Sequence, residues 1–158
     1  MGPGIFVKAV LQGSFSLMVF GWTQILMDLQ PLFSMLNGMG HLHGFSHTYV
    51  GGSLIAVAAA LSGKYLSELG LKILGINEED RPIVIVWWVC FLSAFIGSFS
   101  HVFLDSIMHA DVTAFYPFTN AKPLFRVISV NALHKFCMYS GLAGAGLYYL
   151  VYWRVNKK

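Results

Sequence analysis

Four long apolar runs leave this chain few folds to choose from. They predict helices over residues 5–27, 46–62 or somewhat beyond, 83–108 and 131–153. A membrane-crossing helix needs about 20 mainly apolar residues. The second run is the shortest, and Lys64 with Tyr65 extends it by snorkelling. The runs are continuous rather than alternating, which favours helices over a barrel. Only 11% of residues are charged, against about 25% in soluble domains. The expected fold is therefore all-α: a polytopic membrane protein built as a four-transmembrane-helix bundle. A length of 158 residues suits one domain covering 1–158. The N-terminus lacks a cationic leader and a cleavage site, so the first run reads as a retained helix. Cys90 and Cys137 fall inside apolar runs and read as small packing residues. The net charge of +3 is modest and implies no nucleic-acid partner.

Lys and Arg orient such a chain. Lys8, the Lys64–Lys72–Arg81 group and the terminal Arg154, Lys157 and Lys158 sit at one set of helix ends. The connection between the first two predicted helices has no Lys or Arg, and that between the last two has only Lys122 and Arg126, with Lys135 just beyond. This bias puts both termini in the cytoplasm and the first and third connections outside. Asp28, His41, His43, His47, His101, Asp105, His109 and His134 then gather at the outer face. All six histidines share that face whichever way up the bundle sits. The stretch from residue 63 to 81 mixes Leu and Ile with Lys and Glu and reads as a short interfacial helix. Asn77, Glu78, Glu79 and Asp80 read as a solvated turn.

Ionisable groups at a bilayer boundary are costly, and metal binding is the sharpest reason to keep them. Ser93, Gly97, His101, Asp105 and His109 recur every four residues, so they form one slowly drifting stripe on a helix. Ser93 and Gly97 let a neighbouring helix approach. His101 and Asp105, one turn apart, can share a metal ion. His43 and His47 have the same spacing if a helix begins before His43, against which Gly44 argues. Gly141, Gly144, Ala145 and Gly146 make a small-residue packing face. Phe45-Ser46-His47 and Phe99-Ser100-His101 are alike by coincidence, because one opens a helix and the other closes one.

Four motifs in order carry a family resemblance: Met27-Asp28-Leu29-Gln30-Pro31, His43-Gly44-Phe45-Ser46-His47, Ser100-His101-Val102-Phe103-Leu104-Asp105 and Tyr116-Pro117-Phe118. With them the chain resembles the YdjM-like family of inner-membrane metal-dependent hydrolases, labelled LexA-binding. Gln30 stands where many members carry a second acid. Leu42 takes the position of a family histidine, and His43 that of an arginine. The family is distantly similar to the zinc-dependent phospholipase C and P1 nuclease group, which implies phosphoester hydrolysis by analogy. The resemblance implies an inner-membrane location, and its label alone would imply a LexA contact.

The combined expectation is a metal site at the outer end of the bundle. His47, His101 and Asp105 lead the ligand set, followed by Asp28, then His43 and His109. Mixed imidazole and carboxylate donors suit zinc, with manganese or iron as substitutes. The expected activity is a metal-dependent hydrolase using a metal-activated water on a phosphoester or other ester, lipid-like if it arrives from the bilayer. Asp111 or an unligated histidine is the candidate general base or acid. Lys122, Arg126 and Lys135 would hold an anionic group. Two other classes compete. His47 and His101 would be the axial pair of a haem electron carrier, or the chain would be a non-enzymatic membrane scaffold or metal-binding protein. For His101 and Asp105 the plain alternative is a buried hydrogen-bonded pair that fixes helix packing. Ser46 and Ser100 read as partners of histidines rather than nucleophiles.

Overall fold

The computed structural model describes residues 1–76 and 83–157. Among these, the regular structure is five α-helices and no strand. They are α1 (Gly2–Leu11), α2 (Leu17–Leu36), α3 (Tyr49–Ile73), α4 (Trp87–Met108) and α5 (Val130–Asn156). The all-helical expectation holds, but the four-span reading does not. Two helices, α3 and α4, are long and apolar enough to cross a membrane. Helix α2 carries Gln24, Asp28, Gln30, Pro31 and Ser34, and α5 carries His134, Lys135 and Ser140 among glycines and tyrosines. These polar residues dilute the apolar runs.

The predicted first span is broken in two. Gln12 has φ 48°, and the chain passes through a 3-10 turn at Gln12–Ser14 before Ser16 caps α2 by accepting from the Val19 N–H. Lys8 Nζ holds this reversal by donating to the carbonyls of Gln12 (2.7 Å) and Phe15 (2.8 Å). Helix α1, about 15 Å long, therefore folds back beside α2, with Gly4 against Phe20. Helix α3 begins at Tyr49, not Ser46, and continues to Ile73, so it absorbs most of the predicted interfacial segment. The Asn77–Asp80 turn and Arg81 lie outside the described residues.

The core is a three-helix bundle of α2, α3 and α4, with α1 and α5 paired alongside. Helices α3 and α4 run antiparallel and pack through small residues: Ala56, Ala59, Ala60, Cys90 and Ala94 are fully buried. A Cβ on Gly52 would sit 2.6 Å from Ser98 Oγ, which donates to the Gly52 carbonyl at 2.7 Å. Such close backbone approach is how apolar helices associate without a hydrophobic gradient. The predicted small-residue face of α5 packs on α1. Gly141 lies on Gly2, and a Cβ on Gly144 would meet the Phe6 backbone at 2.5 Å, whereas Gly146 faces open space. Lys64 does not snorkel. It is buried, paired with Glu68 and donating to the Ile85 carbonyl at 2.7 Å, which ties α3 to the approach to α4 at the end opposite the histidines.

Because α2 and α4 run parallel and α3 runs against them, the end of α2, the start of α3 and the end of α4 meet. The backbone bond from Tyr49 N–H to the Ala114 carbonyl, 2.8 Å, closes that end.

Candidate metal centre

Four segments deliver the site. Asp28 comes from α2, and His43 and His47 from the connection before α3. His101 and Asp105 lie on α4, while His109 and Asp111 follow it. His43 and His47 are not on a helix: Gly44 precedes a 3-10 turn at Phe45–His47. Gln30 holds that turn, its Oε1 accepting from the Ser46 N–H at 2.9 Å. The Gly44 position leaves room for the Gln30 amide, which a Cβ would strike. His109 ends α4 in an extended conformation, so the four-residue stripe stops at Asp105.

The ring nitrogens converge on one carboxylate oxygen. Asp105 Oδ2 lies 3.1 Å from His101 Nε2, 3.2 Å from His47 Nε2 and 3.9 Å from His43 Nε2. Asp28 Oδ1 also lies 3.2 Å from His101 Nε2. The opposite nitrogens are occupied. Gln24 Nε2 donates to the Gly97 carbonyl at 3.1 Å. Its Oε1 therefore faces His101 Nδ1, 2.9 Å away, and can only accept. Asp111 Oδ1 does the same for His43 Nδ1 at 3.0 Å. Ser46 Oγ lies 2.9 Å from His47 Nδ1. In neutral His101 and His43 the proton is thus on Nδ1, and Nε2 presents a lone pair toward Asp105.

That arrangement suits a metal ion as well as a packing pair. A structural pair would need an Nε2–H aimed at the carboxylate. Despite the short distances, Nε2 of His47 and of His101 are buried and make no hydrogen bond among the described residues. Such an unsatisfied group costs about 1–3 kcal/mol, and His47 is wholly buried. Donor atoms 3.1–3.2 Å apart match neighbouring ligands of a cation with bonds of about 2.0–2.2 Å. Asp28, His47 and His101 form one group able to hold an ion, and His43, His47 and Asp105 another. Each Nδ1 partner is of the kind that fixes the orientation of an imidazole when it binds a metal. The His47 and His101 rings stand 5.2 Å apart, edge to face. That leaves no slot for a flat macrocycle between them, which weighs against a haem.

Asp111 is not a free base. Its Oδ2 accepts from the backbone N–H groups of Leu42 (3.2 Å) and His43 (3.1 Å) while Oδ1 takes the His43 ring. Burial raises this carboxyl, but the His43 backbone and ring outweigh it and hold its pKa at about 2. Asp111 therefore acts as the tether of the His43 loop. His109 lies over His43 with ring centroids 4.3 Å apart. His43, His109 and Asp111 form a third group of metal-binding type, although His43 Nδ1 is already taken by Asp111. His41 and His134 are exposed and belong to none of these groups. Ser100 donates to the Gly97 carbonyl at 3.0 Å rather than to a histidine. Lys122 Nζ donates to the Ala110 carbonyl, between His109 and Asp111, and so brings a cation to the rim. Arg126 rests on the Phe125 ring, and Lys135 is exposed on α5.

Sequence reasoning missed Gln24. It lies one turn before Asp28 on α2, and that i,i+4 polar pair inside an apolar run was the available signal.

No curated protein and no solved structure matches the chain. A family model described as YdjM inner membrane protein matches residues 11–156. Its span takes in all four segments that build the histidine and aspartate cluster, and the chain belongs to the YdjM inner membrane protein family.

Proposed function

We propose that the protein is a membrane-embedded, metal-dependent hydrolase of phosphoesters or other esters, with zinc the best-suited ion. One observation carries this reading: two buried imidazole nitrogens without hydrogen bonds converge with a carboxylate, while their opposite nitrogens are held. A divalent ion at that point would supply Lewis acidity and an activated water. The chain's own residues supply the rest. His47, His101 and Asp105 would hold the ion, with Asp28 and His43 completing the set. Gln24 and Ser46 orient the rings. No hydrogen bond engages the His109 side chain among the described residues, which suits it to move a proton at the rim. Lys122 is placed to meet an anionic group.

The test is hydrolysis of p-nitrophenyl phosphate and p-nitrophenyl esters by the purified protein. Activity should be abolished by a chelator and restored by zinc. Bound metal with no hydrolysis of either class would favour the non-enzymatic metal-binding reading.

A further inference from the structure

A groove of about 500 Å3 opens directly onto the cluster. Asp28, His43 and His109 line it together with Ile25, Leu29, Leu32 and Met35 of α2. Those four apolar side chains are 46–62% exposed. Ile25 to Met35 covers about 15 Å of helix, the depth of one acyl layer in a hydrocarbon core of about 30 Å. The site itself is deep. His101 and Asp105 lie about 5 and 11 Å along α4 from its midpoint, inside that half-thickness when α4 spans the bilayer. A water-soluble ester would have to shed its hydration to reach them. An acyl chain lying on the apolar face of α2 would offset that loss for an ester joined to it.

We infer that the occupant of the α2 groove is the hydrocarbon chain of a phospholipid-like ester, presented to the cluster sideways from the bilayer. The inference rests on the hydrolase reading for what is cleaved, but not for what is bound. The chain lies on Ile25, Leu29, Leu32 and Met35, and the polar end meets Asp28, His43 and His109. Lys122 at the rim complements a phosphate. A protein helix seated in the groove would leave these polar groups unused.

The test uses the full chain in nanodiscs containing a phospholipid with a photoactivatable diazirine on its acyl chain. Adducts are mapped by mass spectrometry, and metal content is measured on the same sample. Labelling should concentrate on residues 25–35 relative to the exposed Phe136, Met138, Tyr139 and Leu142 of α5. A saturating excess of dodecyl phosphate should lower it by about tenfold, and inorganic phosphate should not. Leu32→Trp and Ile25→Trp, at half-exposed positions that tolerate bulk, should lower it without changing metal content. Even labelling of all exposed helices, or labelling untouched by dodecyl phosphate, overturns the inference and leaves only annular lipid. Equal displacement by inorganic phosphate overturns it too, because the head alone would then be read. A sample without metal sinks the hydrolase reading, while its labelling pattern still decides the groove.

Discussion

Gln24 offers the sharpest perturbation, because it touches no proposed ligand atom yet fixes one. Its Oε1 accepts from His101 Nδ1 at 2.9 Å, and its Nε2 donates to the Gly97 carbonyl at 3.1 Å. Gln24→Leu keeps the volume and removes both bonds. The Gly97 carbonyl retains the Ser100 hydroxyl at 3.0 Å, so the stability cost should stay near 1 kcal/mol. Metal affinity should suffer more. Without an acceptor at Nδ1, His101 is free to carry its proton on Nε2, and losing such a partner costs about 10–100-fold in affinity, or about 1.4–2.7 kcal/mol. Gln24→Glu supplies a carboxylate that still accepts from Nδ1–H, so it should bind within a few-fold of wild type. The assay is zinc affinity by chelator competition in detergent, with thermal unfolding as the control for folding. Wild-type affinity in Gln24→Leu, or an equal loss in Gln24→Glu, would refute the argument that Gln24 sets the tautomer.

Asp28 is 61% exposed at its side chain and Asp105 only 17%, so Asp28→Asn should weaken metal binding less than Asp105→Asn in the same titration. Asp111→Ala should free the His43 loop, raising amide hydrogen exchange over residues 41–47 while lowering metal affinity only modestly. The Asp111 carboxyl is held down at about 2, so its tether is fully formed above the ordinary value of about 3.9 and is lost as pH falls through about 2. Acidification to pH 5 should therefore leave the loop anchored, as unchanged hydrogen exchange in that segment would report. Gly52→Val forces a side chain onto Ser98 and should cost roughly 1–3 kcal/mol or more, visible as a lower thermal midpoint. Chelation should lower that midpoint in the wild type and have little effect in Asp105→Asn.

The apolar runs correctly announced helices, and their alternation put the histidines at one end, where His43, His47, His101 and His109 do meet. That inference needed only connectivity, so it survived the loss of the four-span reading. The break at Gln12 did not show, because averaging over a long apolar run hides a Gln-Gly-Ser interruption, and its left-handed backbone is set by the fold-back of α1 on α2 and α5. The His101 and Asp105 pairing followed from helix periodicity alone. His43 and His47 came together by another route, a 3-10 turn pinned by Gln30, which no i,i+4 rule describes. Asp111 read as a base because an acid near histidines invites that role, yet three contacts to Leu42 and His43 make it a tether. Gln24 went unread, although it stands one turn before Asp28, because its partners His101 and Gly97 on α4 are set only by tertiary packing.

The most direct test of the account is metal content, by elemental analysis of the purified protein beside Asp105→Asn and His101→Ala. The account predicts stoichiometric divalent metal in the wild type and its loss in both variants, with folding retained by circular dichroism. Absence of metal from the wild type after zinc reconstitution, or undiminished metal in both variants, would contradict it.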